Sequence, residues 1–246
     1  MIALSFDGPL ALLTLDRPSA RNAIPTEGWE TLASLADELT ASAARAVILR
    51  SGAAGIFSAG ADIGEFPQLQ ADPARRTRFR RAMAAAMEGI AALPMPVIAA
   101  VDGGCFGAAV ALALSADLRI AGEGAQFATT PAKLGLGYPR GDVARLAARV
   151  GQGQAARMLF TGGALDAAEA LRIGLVELTA PNAEVAACEL AARIAANAPG
   201  AVSLLKRTLA SPADDTLDAT FEAMFGSAEF AEGLAAFQAR RKPVFG

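Results

Sequence analysis

Phe57-Ser58-Ala59-Gly60-Ala61-Asp62-Ile63 is the stretch on which the reading of this chain turns. It follows Ala46-Val47-Ile48-Leu49-Arg50, an apolar and partly β-branched run that reads as a buried parallel strand. Ser58 to Ala61 are all small, and small side chains let backbone N–H groups come close to a bound ligand. A second stretch repeats the design. Asp102-Gly103-Gly104-Cys105-Phe106-Gly107-Ala108-Ala109 follows Pro96-Val97-Ile98-Ala99-Ala100-Val101 and runs into an Ala/Leu-rich helical segment, Val110 to Ala116. Two strand-to-loop turns of this kind can aim two backbone N–H groups at one oxygen, an oxyanion hole whose donors need no side chain.

The composition narrows the rest. A chain of 246 residues can bury a sizeable core, and one large domain with a helical extension is expected. The hydrophobic fraction, 53%, is high and much of it is alanine, which points to close helix packing and a subunit interface. A net charge of −3 argues against nucleic acid as a partner, because a phosphate-binding surface needs net cationic character. It leaves room for one anionic ligand held by local arginines. The two cysteines, Cys105 and Cys188, suit a reducing, cytoplasmic setting and offer no disulfide framework. No apolar run reaches the roughly 18 residues of a membrane span. The start of the chain, Met1 to Asp7, lacks the basic n-region of a signal peptide. Histidine is absent, so Ser-His-Asp and Cys-His catalysis within one chain are excluded, as is a His-ligated metal site. Two separated cysteines make no zinc site, and no metal is expected.

In chain order, Ile2–Phe6 and Leu10–Leu15 read as a hairpin across Asp7-Gly8-Pro9. Thr26 is placed to cap a helix from about Glu27 to Leu39. Asp72-Pro73 starts a helix over about 74–93 whose front, Arg75, Arg76, Arg78, Arg80 and Arg81, reads as a solvated basic face or as a receptor for a carboxylate. Leu118–Ala121 and Gln126–Ala128 are further strands. A Gly/Pro-rich loop, 129–142, follows. Helices are expected over about 142–150, 152–161 and 166–173, with Asp166 and Glu169 as a capping-box pair and Gly174 as the stop. A last short strand is expected at 176–179. From Glu184 to Arg241 the chain reads as helical, broken at Pro199-Gly200 and Ser211-Pro212.

FSAGADI, PVIAAVDGGCFGAAVALALSADLRIA, the early LDRPSARNAI, the later GLVE and the tail EGLAAFQARRKPVFG resemble, in order, the crotonase superfamily, the enoyl-CoA hydratase/isomerase family. The resemblance spans nearly the whole chain. It implies an α/β crotonase (ClpP/crotonase-like) spiral of β-β-α units over 1–195 and a C-terminal helical trimerisation region over 196–246. It implies an acyl-CoA substrate, coenzyme A being part of that substrate and no separate cofactor, and a homotrimer or dimer of trimers. The oxyanion donors then fall on the N–H groups of Ala61 and Ala108, with the helix after Gly107 pointing its positive end at the thioester oxygen. Relatives usually carry glycine at the second place; alanine fits there if its φ is negative. Ala59, Ala61, Asp62, Ile63 and Gly64 supply backbone contacts to adenine and pantetheine. The backbone near Arg21 and Ala23 flanks the nucleotide, and the Arg21 side chain lies near phosphate or is a plain surface arginine. Lys242 reaches a CoA phosphate of a neighbouring subunit or complements a helix C-terminus.

The departures from the family pattern decide the chemistry. Hydratases of the family use two glutamates, and the matching positions here are Ala111 and Pro131. Neither a methyl group nor a pyrrolidine ring moves protons, so two-glutamate hydration and glutamate-driven double-bond isomerisation both lose their usual apparatus. The loop from Thr130 to Tyr138 resembles that of the family's methylmalonyl-CoA decarboxylases, where a tyrosine at this place is a proposed active-site group; those relatives carry a histidine where this chain has Ala61. Tyr138 is therefore either catalytic or an ordinary loop aromatic. Asp142, Glu65 and Arg140 are weaker candidates. The function expected is an acyl-CoA enzyme of the hydratase/isomerase family that stabilises a thioester enolate. A malonyl-type decarboxylase using Tyr138 and a non-catalytic acyl-CoA binder are the alternatives.

Overall fold

The computed structural model describes residues 2–245; Met1 of the N-terminal reading and Gly246 of the tail motif lie outside the described residues. The chain opens with the expected hairpin, β1 (Ile2–Asp7) and β2 (Leu10–Leu15), antiparallel with Asp7 opposite Leu10. After α1 (Thr26–Thr40), β3 (Ala46–Ser51) pairs parallel with β2, and its first four residues are buried on both faces. That burial is why this run carries no polar alternation.

From β3 the chain winds as a spiral of two unequal sheets. β3 turns a short corner into β4 (Ile56–Ser58), and α2 (Phe66–Ala71) and α3 (Pro73–Ala92) return it. β5 (Val97–Val101) turns into β6 (Gly104–Phe106) and then α4 (Ala108–Leu114). β7 (Leu118–Gly122) turns into β8 (Gln126–Ala128) and then α5 (Arg140–Thr161), which breaks at Gly151 where φ is 76°. β9 (Leu165–Asp166), α6 (Ala167–Arg172), β10 (Leu178–Ala180) and α7 (Ala183–Ala195) complete the spiral. The larger sheet has the order β1-β2-β3-β5-β7-β10 and the smaller β4-β6-β8-β9. Each turn of the spiral thus adds one strand to each sheet. The corners stack tightly: at Gly103, with φ of 75°, an added Cβ would lie 2.1 Å from the Gly55 carbonyl, so only glycine fits.

The period-2 geometry of the strands sorts their side chains into two cores. Val47, Leu49, Val97, Ala99 and Val101 join the main core with Trp29, Leu32 and Met87. Ala46, Ile48, Ile98, Ala100 and Ile120 face the other way, against Ala183, Ala187 and Ala191 of α7. Those alanines recur every four residues and make a flat stripe that lets the helix lie close on the sheet. The C-terminal part is α8 (Pro199–Ala210), α9 (Thr216–Met224) and α10 (Ala228–Gln238).

Several local expectations need correction. Thr26 does not cap α1 but is its first residue; the Glu65 carboxylate accepts from both Thr26 N–H and its hydroxyl at 2.8 Å, reaching across from another loop. Asp166 caps α6 by accepting from Glu169 N–H at 2.8 Å, but the Glu169 side chain turns to Arg157 and Arg172 instead of closing a box. The last strand lies at Leu178–Ala180, two residues later than expected, because Leu175 and Val176 go into the main core. A further break between α9 and α10 was not anticipated; Gly226 and the Ser227 cap on Phe230 N–H make it. Among the described residues no helix is long and apolar enough to cross a membrane.

Candidate active site

The smaller sheet positions the site. β4 and β6 are paired neighbours, so the segments that leave them, residues 59–62 and 107–109, emerge side by side. Their separation can be read at Gly60, where φ is 90°. A Cβ added there would sit 2.4 Å from Phe106 O, 2.8 Å from Ala108 N and 3.3 Å from Ala109 N. Glycine is required on both grounds, the left-handed backbone and the missing space.

Hydrogen bonds then fix the backbone of the first loop. Ala59 N–H donates to Arg21 O at 2.9 Å, Asp62 N–H donates to Ile24 O at 3.0 Å, and Gly60 O accepts from Ile24 N–H at 2.7 Å. Gly60 N–H donates to the Ser58 hydroxyl oxygen, and that hydroxyl donates to Asn22 O. Ala61 forms a parallel bridge with Ile24, so its own N–H points away from Ile24, as alternation along extended backbone requires. Ala108 is the first residue of α4, where an N–H has no acceptor in a preceding turn. Neither amide has a hydrogen-bond acceptor among the described residues. Ala108 is not among the positive-φ residues, whereas Gly107 before it has φ 55° and ψ −125°. Gly107 N–H donates to Ala128 O at 2.8 Å, and Gly107 O accepts from Val110 N–H at 3.0 Å.

The residues around these amides fall into two groups. Arg21 is exposed, its guanidinium 6.0 Å from the centre of the Phe106 ring, while Ala23 is buried. Ile63 is 58% exposed and Gly64 is exposed, leaving an apolar side chain uncovered beside the first loop. Asp62 accepts from Gly64 N–H at 2.9 Å and from the Arg17 guanidinium, which holds the Asp62 carboxyl below the usual carboxylate range. Ala59 and Ala61 are half-buried.

Lys242 is exposed, and Phe245 O, three residues on, accepts from Arg45, which precedes β3. Ala111 is buried in α4, and Pro131 opens a short 3-10 turn, Pro131–Leu134. Glu65 is committed to α1, and Arg140 is exposed. Asp142 lies in the first turn of α5 and pairs with Arg145 at 3.3 Å, and burial pushes its carboxyl up. The Tyr138 hydroxyl donates to Gly107 O at 2.9 Å. Burial raises the Tyr138 phenol well above its ordinary value and the charge of Asp142 adds to this, so it stays protonated.

Asn22 does more here than its place in the sequence suggests. It is buried with φ of 55°, next to Arg21 at 53°. Its side chain accepts from Arg17 N–H at 2.7 Å and donates to Ser51 Oγ at 2.8 Å and Phe57 O at 3.0 Å. A lone asparagine in a short loop gives no sequence signal of such a clamp. Asn22→Ala is expected to destabilise the protein by about 3 kcal/mol in denaturant titration, from orphaned polar groups and the left-handed backbone. Asn22→Gly, free of the backbone cost, should lose roughly 1 kcal/mol less. An alanine variant as stable as the parent would refute the clamp.

Cys105 lies on β6 beneath the second loop, fully buried, and burial pushes its thiol well up. A thiol-titrating reagent should therefore modify Cys188, which is half-buried, in the native protein and reach Cys105 only after unfolding. Two fast-reacting native thiols would contradict the packing of β6.

Solved structures define the class. The enoyl-CoA hydratase/carnithine racemase from Magnetospirillum magneticum matches with a TM-score of 0.95 at 32% identity, over 100% of this chain and 95% of that one. The enoyl-CoA hydratase from Bacillus anthracis matches at 0.93 and 29% identity, over 99% and 98%. The protein therefore has the α/β crotonase fold. Its sequence is specific beyond that: residues 6–246 match the family model for enoyl-CoA hydratase/isomerase. The short-chain-enoyl-CoA hydratase of Clostridium acetobutylicum is 35% identical over 217 residues, 85% of this chain and 80% of that protein. The chain belongs to the enoyl-CoA hydratase/isomerase family, and it is an enzyme of that family with its reaction left open.

Proposed function

We propose that this enzyme holds the carbonyl oxygen of a coenzyme A thioester between the N–H groups of Ala61 and Ala108 and stabilises the enolate that forms there. One observation supports this above the others: two amides without acceptors sit on loops so close that Gly60 has no room for a methyl group. When a bond at the α- or β-carbon changes, negative charge gathers on the thioester oxygen. Donors fixed beforehand stabilise that charge without reorganising. Arg21, Ala23, Ala59, Asp62, Ile63 and Gly64 flank the nucleotide and pantetheine in this reading, the exposed Ile63 giving an apolar contact. Lys242 reaches the phosphates of a neighbouring subunit. The subunits form a homotrimer or dimer of trimers, in the cytoplasm, through α8–α10, where Leu209, Phe221, Phe225 and Phe237 are exposed.

Ala111 and Pro131 carry no proton, so the reaction uses a proton carrier other than the family's two glutamates. Calorimetry with coenzyme A thioesters tests the binding half of the proposal; failure to bind any of them overturns it. Turnover tests the rest. Crotonyl-CoA reports hydration, a 3-enoyl-CoA reports isomerisation, and methylmalonyl-CoA reports decarboxylation. Tight binding with no turnover on any of these would assign a carrier role and refute enolate chemistry.

A further inference from the structure

We propose that Tyr138 is a positioning residue that acts through a peptide group: its hydroxyl, 2.9 Å from Gly107 O, holds and polarises the Gly107–Ala108 amide whose N–H faces the substrate oxygen. The inference rests on the enolate-stabilising role of Ala108 given above. A peptide's carbonyl and N–H share one delocalised system. A hydrogen bond donated to the oxygen draws charge from nitrogen and makes the N–H a better donor, as in any chain of hydrogen bonds. The same bond restrains rotation. Gly107 has no side chain and a backbone, φ 55° and ψ −125°, that only glycine adopts readily. Val110 N–H also donates to Gly107 O, at 3.0 Å and from within α4, so the Tyr138 hydroxyl adds a second tie from outside the helix. Tyr138 reaches it from a separate loop that follows Gly135 and Gly137, so one hydroxyl ties that loop to the second donor. Burial, with the charge of Asp142 adding to it, raises the phenol above its ordinary value, so at neutral pH it is protonated and can donate. With its proton directed at Gly107 O, the hydroxyl serves the amide rather than the substrate carbon.

Tyr138 is the only tyrosine in the chain, so biosynthetic replacement of tyrosine by 3,5-difluorotyrosine alters this position alone. Fluorine makes the phenol a stronger donor at nearly constant shape, whereas Tyr138→Phe removes the donor. The probe is 2,4-hexadienoyl-CoA, whose absorption moves to longer wavelength as its carbonyl is polarised. The expected result is a red shift on binding the parent protein, a smaller one with Tyr138→Phe and a larger one with difluorotyrosine, at dissociation constants within about threefold. On the enzyme's own substrate Tyr138→Phe should lower kcat about tenfold with little change in KM. A Tyr138→Phe protein with the parent's red shift overturns the proposal, and so does a difluorotyrosine protein whose shift falls with that of Tyr138→Phe. If the thioester binds the parent with no red shift at all, the polarising role of Ala108 fails first and this inference falls with it.

Discussion

Ala108→Pro should lower kcat roughly 10²–10³-fold, the effect of deleting one preorganised oxyanion donor, while leaving the fold nearly as stable. Proline removes the N–H and puts its ring Cδ where the hydrogen was, so thioester binding is measured beside kcat to separate a lost donor from a blocked site. Ala108 is the first residue of α4, where proline's fixed φ suits the helix and its missing N–H had no helical acceptor. Proline restricts the residue before it to extended backbone. Gly107, at φ 55° and ψ −125°, occupies the mirror image of that region, which glycine tolerates. The control is Ala108→Gly, which keeps the N–H and should stay within a few-fold of the parent. Steady-state kinetics and denaturant titration on the three proteins decide the matter. Full activity in the proline variant would remove Ala108 N–H from the chemistry; unfolding of that variant alone would show that α4 does not accept proline there.

Gly60→Ala should be the most damaging single methyl group in the molecule's site. The new Cβ would lie 2.4 Å from Phe106 O, a backbone atom that cannot swing aside, and the residue would be held at φ of 90°. Either the turn leaves its left-handed conformation or the two loops part. Unfavourable backbone and overpacking together are expected to cost about 3 kcal/mol. If both amides bind one oxygen, as proposed, a parting of about 1 Å would lower kcat by roughly 10²-fold. Gly124→Ala is the comparison: nothing lies within 4 Å of its added Cβ and its φ is not positive, so stability and rate should barely move. If Gly60→Ala matched Gly124→Ala in both, the close approach of the two loops would be wrong.

The first hairpin, the buried strands of the larger sheet and most helix ends were legible in the sequence because each is written within a few neighbouring residues, whereas the short strands β4, β6 and β9 fall in stretches that read as loops or helix. A doubly buried strand must be apolar throughout, as Val47 to Leu49 and Val97 to Val101 are. Asp72 and Asp166 cap the next helix by bonding an amide two or three residues on, and Gly151 and Gly174 break or end helices through their own positive φ. The resemblance to the crotonase superfamily, read from five motifs in order, is likewise a property of the linear chain.

What the tertiary structure alone decided lies between residues far apart. Thr26 finds its acceptor in Glu65, Asn22 locks Ser51 and Phe57, and Tyr138 spends its hydroxyl on Gly107. Phe245, near the end of the chain, is tied to Arg45 just before β3. No pattern along the chain specifies such pairs, since a side chain's partner is chosen by which strands become neighbours. Here the pairing of β4 with β6 sets that choice, by placing residues 60 and 108 in contact across nearly fifty positions of sequence.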